Sequence, residues 1–494
     1  MLTVTDSGNA RARSAITYRR PDGPGSTEQR GRTGRRRRCL GKSSHHRGNS
    51  PGCPPDGGNN RSEDGYVSRM WWDGKRWRAA HRPGHPHGTP GLGCAQPSSG
   101  FQERRDPLSG TGQTADGTAR QRQTYAVDPV ELFFDLVFVF AIFQLTTRLR
   151  EDPSIRGAGE TGVLLLAVFT VWYFTSWEAT LVRTERTRTT AMVLTVTFFG
   201  LFLTAAVSRA FTGSGWDFAA PFLLVQLGRG LWTLLNVPGD IWRDHYRRTL
   251  LWLLVSAPLW AIGAVAAPAH RLYWWAAAAG VDLLGTWLGH PIPGRTLHSE
   301  NAATAESAHM LERCRLFLLL ALGGTVLSTG LALTATPLTP LTVVTGSAAL
   351  LVTVALWLLA FGGPGRLVQH HVERTGDPNR ATRMAGNVLT VMVAGLIAVA
   401  AAQEMIIRHP RGRPSATISV LLYGGSILFL LAQGWYLRRV PPSNPRPWLI
   451  AATALALAGA ITGALAPPYL TLLTAAALLI IAATKLTRSS QLPH

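Results

Sequence analysis

From Leu132 to Leu486 the chain alternates long apolar runs with short polar connectors, and no other feature restricts its fold as much. The runs are roughly 16–22 residues long, close to the ~20 that a helix needs to cross a ~30 Å hydrocarbon core. The fold class is therefore an all-α integral membrane protein with about twelve transmembrane helices. The spacing places them at 132–147, 162–182, 190–208, 215–236, 249–267, 271–289, 315–335, 341–361, 385–406, 416–437, 447–465 and 469–486.

Residues 1–124 differ in kind. They are rich in Gly, Pro, Ser and Arg, with a run from Arg35 to Arg38 and breakers such as Pro54-Pro55, and they hold too little apolar surface to fold. The expectation is a disordered basic tail, or a natural start near Tyr125. Residues 1–120 hold 21 of the 49 basic and 10 of the 28 acidic residues, so the net +21 divides into +11 there and +10 elsewhere. One island, Met70-Trp71-Trp72-Asp73-Gly74-Lys75-Arg76-Trp77-Arg78, interleaves aromatic and cationic residues as membrane- or nucleic-acid-touching segments do; a solvated tail is the plainer reading, and no nucleic-acid partner is expected. Met1 to Arg20 contains no apolar stretch of the secretory-signal type, so insertion is expected to rely on the first helix.

Arginine distribution orients the bundle. With the N-terminus inside, 18 cations fall in the inner connectors and C-terminus, among them Arg183, Arg243, Arg313, Arg383 and Arg446. The outer connectors hold 8, including Arg148, Arg156, Arg271 and Arg408. The positive-inside rule then places both termini in the cytoplasm of a plasma-membrane protein, with the 290–314 and 362–384 connectors also inside. The helices divide into 125–305 (helices 1–6) and 306–494 (helices 7–12 and a short C-terminus). Each half opens with a Glu before a Leu/Phe-rich helix, Glu131 and Glu312, as a duplicated six-helix unit would.

An ionisable group inside a membrane helix costs about 2.5–3.5 kcal/mol at mid-bilayer, so each marks a candidate site. Helix 1 carries Glu131 and Asp135, an i,i+4 pair on one face. Helix 2 carries Glu178, helix 4 Gln226-Leu227-Gly228-Arg229, and helix 6 Asp282. At ~1.5 Å per residue, Asp135 and Glu178 lie about one turn above the inner boundary, and Arg229 and Asp282 roughly 10 Å in. An arginine side chain spans that gap, so Asp135, Glu178, Arg229 and Asp282 are expected to converge, with Glu131 as a fourth carboxylate. Surplus carboxylates protonate or take up a cation, which suits an ion pathway. The alternative is one buried Arg–acid pair that fixes packing while the other acids snorkel.

Other groups are weaker. Glu306-x-x-His309-x-x-Glu312 has helical spacing for metal ligands but contains one histidine and reads as a solvated helix face. Gln403-Glu404 sits at the outer end of helix 9, where an interfacial place is expected, and His370-His371-Val372-Glu373 lies in a connector of mixed charge. Cys39, Cys53, Cys94 and Cys314 have neither disulfide nor metal spacing, and no nucleotide loop, Ser/His/Asp set or zinc-protease motif occurs. No cofactor, no metal and no enzymatic activity are expected; an intramembrane enzyme is the lesser alternative, for which the chain offers no recognisable nucleophile or metal set.

The stretch Val130-Glu131-Leu132-Phe133-Phe134-Asp135-Leu136-Val137-Phe138-Val139-Phe140-Ala141, continuing to Gln144-Leu145-Thr146, closely resembles the opening signature of the bacterial low-temperature-requirement A family. Similar stretches recur at Gln226-Leu227-Gly228-Arg229, at His309-Met310-Leu311-Glu312-Arg313-Cys314 and at Leu421-Leu422-Tyr423-Gly424-Gly425, so the likeness covers about 125–486. It implies a multi-pass bacterial membrane protein associated with growth in the cold, without a settled molecular activity. In helix 7 the family typically has Leu-Gly-Glu-Ser where this chain has Leu322-Gly323-Gly324-Thr325, so any role of that acid has no counterpart here. The expected activity is a proton- or cation-linked transporter or channel. The rival reading is a non-transporting scaffold or stress-response protein whose buried charges fix helix packing. Its partners would be the lipid bilayer and a small solute or ion, and nothing in the chain specifies an oligomeric state.

Overall fold

A computed structural model describes residues 128–182, 186–237, 239–291, 304–362, 378–438 and 446–489. The expected tail over 1–124, Cys39, Cys53, Cys94, the Glu306 side chain and His370-His371-Val372-Glu373 lie outside the described residues. So does much of the 290–314 and 362–384 connectors.

Twelve long helices account for almost all of the described chain: α1 (Pro129–Glu151), α2 (Ile155–Leu181), α3 (Arg186–Ala205), α4 (Trp216–Asn236), α5 (Asp240–Val265), α6 (Pro268–Leu288), α7 (Thr304–Thr334), α8 (Pro340–Phe361), α9 (Pro378–Arg408), α10 (Ala416–Leu437), α11 (Arg446–Leu465) and α12 (Pro468–Ser489). Eleven are long and apolar enough to cross a bilayer; α6 falls short because His270, Arg271, Asp282 and its tryptophans dilute it.

Helix starts follow local chemistry. Asp128 caps α1 by accepting from Val130 N at 3.1 Å while Glu131 Oε2 accepts from Asp128 N at 3.2 Å, a capping box with Pro129 at the first helical position. Ser154 caps α2 and Thr339 caps α8. Several helices extend past their apolar windows. α1 runs four residues beyond 147, α5 begins nine before 249, and α7 begins eleven before 315. The polar ends continue the same hydrogen-bond ladder, which hydropathy does not register.

The packing order repeats. In the first half α1 packs on α2 and α3, α3 on α4, α4 on α5, α5 on α6, and α2 on α6. In the second, α7 packs on α8 and α9, α9 on α10, α10 on α11, α11 on α12, and α8 on α12. Advancing each number in the first series by six gives the second. The halves meet where α1 and α2 lie against α7 and α9. α6 follows Ala266-Ala267 and starts at Pro268, and α12 follows Ala466-Pro467 and starts at Pro468.

Close helix contact rests on small residues, as expected where lipid supplies no hydrophobic drive between helices. α9 and α10 approach at Gly395 and Gly425: a Cβ on either would lie 2.6 Å from the other's carbonyl oxygen. Just before Gly425 the backbone of α10 widens into a π-turn over Val420–Gly424, and Tyr423 donates to the Thr471 carbonyl at 3.0 Å. Gly425→Ala should therefore cost about 1–3 kcal/mol through overpacking. Gly424→Ala, whose nearest neighbour would be 3.9 Å away, should be near neutral. Melting temperatures of the two variants in detergent check this.

Candidate functional site

The end of the bundle at which α1 begins holds a buried polar group built from α1, α2 and α7. Arg313 of α7 donates to Asp135 Oδ1 of α1 at 2.6 Å and to the Glu131 carbonyl at 3.3 Å, with Glu131 Oε1 at 3.5 Å. Trp172 Nε1 of α2 donates to the same Asp135 oxygen at 2.7 Å. The guanidinium lies over the Phe134 and Trp172 rings, 5.7 and 6.0 Å from their centroids, so its faces are covered by aromatic π-density. His309, one turn before Arg313 on the same face of α7, bridges two elements. Its Nδ1 lies 3.2 Å from Thr180 Oγ1 of α2 and its Nε2 3.3 Å from Glu131 Oε2. His309 and Asp135 are fully buried, and Arg313 nearly so.

A second buried group joins α2 and α4. Arg229 pairs with Glu178 and also donates to Gln226, while Gln226 Nε2 donates to Thr170 Oγ1 at 3.4 Å. The Arg229 guanidinium stacks over Phe174 at 5.2 Å. In the second half the corresponding helix pair is neutral: Gln433 of α10 donates to the Leu359 carbonyl of α8. Gly230 after Arg229 abuts Leu250 of α5, and Gly434 after Gln433 abuts Trp448 of α11, so the two sites share a register.

The expected four-residue cluster therefore takes a different form. Glu178, Arg229 and Gln226 come together. Asp135 is held by Arg313 with Glu131, and Asp282 accepts from Trp260 Nε1 at 3.1 Å with Ser256 beside it. Among the described residues no ion pair joins Asp135 or Asp282 to Arg229. Helix order in the chain carries no adjacency, and α7 supplies the nearer cation to α1. Arg313, counted as a connector cation, belongs to this interior site. The Glu306-x-x-His309-x-x-Glu312 segment is likewise not a uniformly solvated face, because His309 is buried while Glu312 pairs with Arg315 at 3.8 Å. The i,i+4 spacing of His309 and Arg313 was the available signal.

At the opposite end, charge is again paired. Arg148 of α1 and Arg156 of α2 share Glu160, and Arg150 of α1 and Arg408 of α9 share Glu404. Glu404 is buried, and Gln403 is fully buried, donating to the Ala349 carbonyl of α8 at 3.1 Å, so both are packed inside the bundle at this end. Arg271 is also buried, donating to the Ala210 carbonyl at 2.6 Å, the Gly213 carbonyl at 3.1 Å and the Gly263 carbonyl at 3.2 Å. It thus pins the start of α6 to the α3–α4 connector and the end of α5.

The α1, α4 and α7 members of the two polar groups fall in the stretches Val130–Ala141, Gln226–Arg229 and His309–Cys314, while α2 adds Trp172, Glu178 and Thr180 from outside them, and the sequence model of the bacterial low temperature requirement A protein family matches residues 126–483. The chain belongs to that family. An uncharacterized protein of Rhizobium meliloti (strain 1021) is 30% identical over 320 residues, covering 64% of this chain and 78% of that protein. No solved structure matches. Membership of the low temperature requirement A family makes this a multi-pass membrane protein whose matched region holds every described polar group named above.

Proposed function

We propose that this protein is a proton- or cation-linked membrane transporter whose titrating centre is the Glu131–His309–Asp135–Arg313 group. The observation that carries the reading is the hydrogen-bond demand on His309. The Thr180 hydroxyl donates its one proton to the Ser176 carbonyl at 2.9 Å, so it can only accept from His309 Nδ1. A neutral imidazole protonated at Nδ1 has no proton on Nε2, yet Nε2 faces the Glu131 carboxylate. The contact is satisfied when Glu131 and His309 share one further proton. Charge balance leads the same way: Glu131, Asp135 and Glu178 stand against Arg313 and Arg229, leaving one negative charge that a proton or a bound cation would neutralise. Asp135 Oδ2 and Glu178 Oε2 are buried acceptors without a hydrogen bond among the described residues.

The orientation that goes with this reading puts both termini in the cytoplasm, on the arginine asymmetry, so the group would open toward the cytoplasmic side. The competing reading, a scaffold, draws support from the tight pairing of Glu178 with Arg229, in which both side chains are 1% exposed. Flux into proteoliposomes, screened over protons, K⁺ and small neutral and charged solutes, tests the proposal. Flux that depends on a pH or cation gradient and saturates with solute is expected. Protein that is monodisperse and folded but passive to every gradient would leave the scaffold reading standing.

A further inference from the structure

Two adjoining cavities of about 320 and 100 Å³ open between α2, α5, α6, α9 and α10, sharing Tyr173, Phe174, Thr286 and Arg383 as common wall. The larger is of the size of small-molecule sites. Phe174 lines both and also carries the Arg229 guanidinium, but neither Glu178 nor Arg229 is among their lining residues.

The composition of the cleft changes along its length. Part of its wall is apolar, with Leu166, Phe169 and Leu283, and it also includes Trp287 and Trp435, which are 66% and 46% exposed. Its shallow end, toward the start of α9, presents Arg383, His245, His290 and hydroxyls of Thr286 and Thr249. His245 and His290 lie edge to face with ring centroids 5.8 Å apart, and both feel the charge of Arg248. Burial holds the His290 imidazole well below the usual histidine range, at about 3, so it serves as a neutral hydrogen-bonding group there. No acidic side chain is among the described lining residues of either cavity. The neighbouring Asp244 is engaged with Arg248 at 3.2 Å.

We infer that this cleft is a selective site for an anionic phospholipid, its phosphate held at Arg383 and the imidazole–hydroxyl end, its acyl chain laid along the apolar wall toward mid-bilayer. The arrangement matches that ligand in sign, polarity gradient and direction of access. A headgroup sits at the interface and its chain runs inward, as the lining does from Arg383 to Leu166. A free inorganic anion would use the shallow end but leave the apolar wall unfilled, and a zwitterionic lipid would fill the wall while bringing a choline cation to a site of positive charge. The inference is independent of transport, because Arg383 takes no part in either buried ion-pair group.

The full chain, purified in detergent, is titrated with dioleoylphosphatidylglycerol, dioleoylphosphatidylcholine or inorganic phosphate, reading bound lipid by native mass spectrometry and melting temperature in parallel. Phosphatidylglycerol should bind saturably and raise the melting temperature, with phosphatidylcholine and phosphate having little effect. Arg383→Gln should weaken phosphatidylglycerol binding about tenfold, as loss of one charge-assisted hydrogen bond does. Arg315→Gln, at an exposed arginine outside the cleft, should not. Should Arg383→Gln reduce the amount of folded protein, Trp287→Ala at the exposed mouth takes its place and should weaken lipid binding several-fold by the loss of chain contact. Equal binding of the two lipids, undiminished phosphatidylglycerol binding by the variant used, or stabilisation by inorganic phosphate equal to that by the lipid would each overturn the assignment.

Discussion

Arg313→Leu should destabilise the protein by about 3–5 kcal/mol, the usual cost of deleting one partner of a buried ion pair and stranding the other. Arg313 is 1% exposed and makes three contacts across the α1–α7 interface: the Asp135 carboxylate, the Glu131 carbonyl and the Glu131 carboxylate. Leucine fills part of the volume but leaves two acids of α1 facing an apolar wall. The signature that separates this from simple loss of packing is rescue. Asp135→Asn in the Arg313→Leu background keeps the Trp172 hydrogen bond to the retained side-chain oxygen while removing the stranded charge, and should recover part of the lost stability. Thermal unfolding in detergent reads both. If the double variant is no more stable than Arg313→Leu alone, the pair is not the element that holds α1 against α7. At Arg229 the same experiment has its partner in Glu178, but the neutral Gln433–Leu359 contact in the second half indicates that this helix pair can also be joined without charge.

Glu131→Gln and His309→Gln should each abolish gradient-driven flux while leaving folded protein near normal levels. Glutamine at 131 keeps an oxygen for the Asp128 N–H cap and a shape close to the acid, yet it cannot share a titrating proton with Nε2. At 309 a glutamine can still donate to the Thr180 hydroxyl but offers no second site to relay a proton. A loss of flux of about a hundredfold or more is expected if a proton must pass through this contact, since general acid–base groups typically carry 10²–10⁴ in rate. Were the group only a packing device, any functional loss would track the loss of folded protein, measured in the same preparations by size-exclusion profile and melting temperature. Variants that are well folded and fully active would remove Glu131 and His309 from the proposed pathway. Asp282, hydrogen-bonded to Trp260 on α5 with no ion pair among the described residues, offers the contrast. Asp282→Asn leaves the acceptor oxygen in place and is expected to retain flux.

The apolar periodicity alone determined that the chain is an all-α membrane protein with about twelve spans, because a lipid core permits few other ways to bury runs of that length. It also singled out the costly residues: Glu131, Asp135, Glu178, Arg229 and Asp282 could be picked from the sequence because charge is rare in such helices. Which of them meet was decided by tertiary structure. The chain order places α7 far from α1, yet packing brings Arg313 and His309 onto Asp135 and Glu131, and moves Asp282 to Trp260 instead of Arg229. Helix ends escaped the sequence for a related reason. The turns that carry His309 and Arg313 are too polar to read as a span, and only burial against α1 and α2 reveals that they belong inside the bundle. The cleft at Arg383 was invisible as well, since its walls come from helices far apart in the chain and single aromatic residues in a membrane span carry no pattern of their own. One-dimensional hydropathy reports what each segment costs to leave in water or in lipid; the partners that offset a buried charge are set by which helix faces touch.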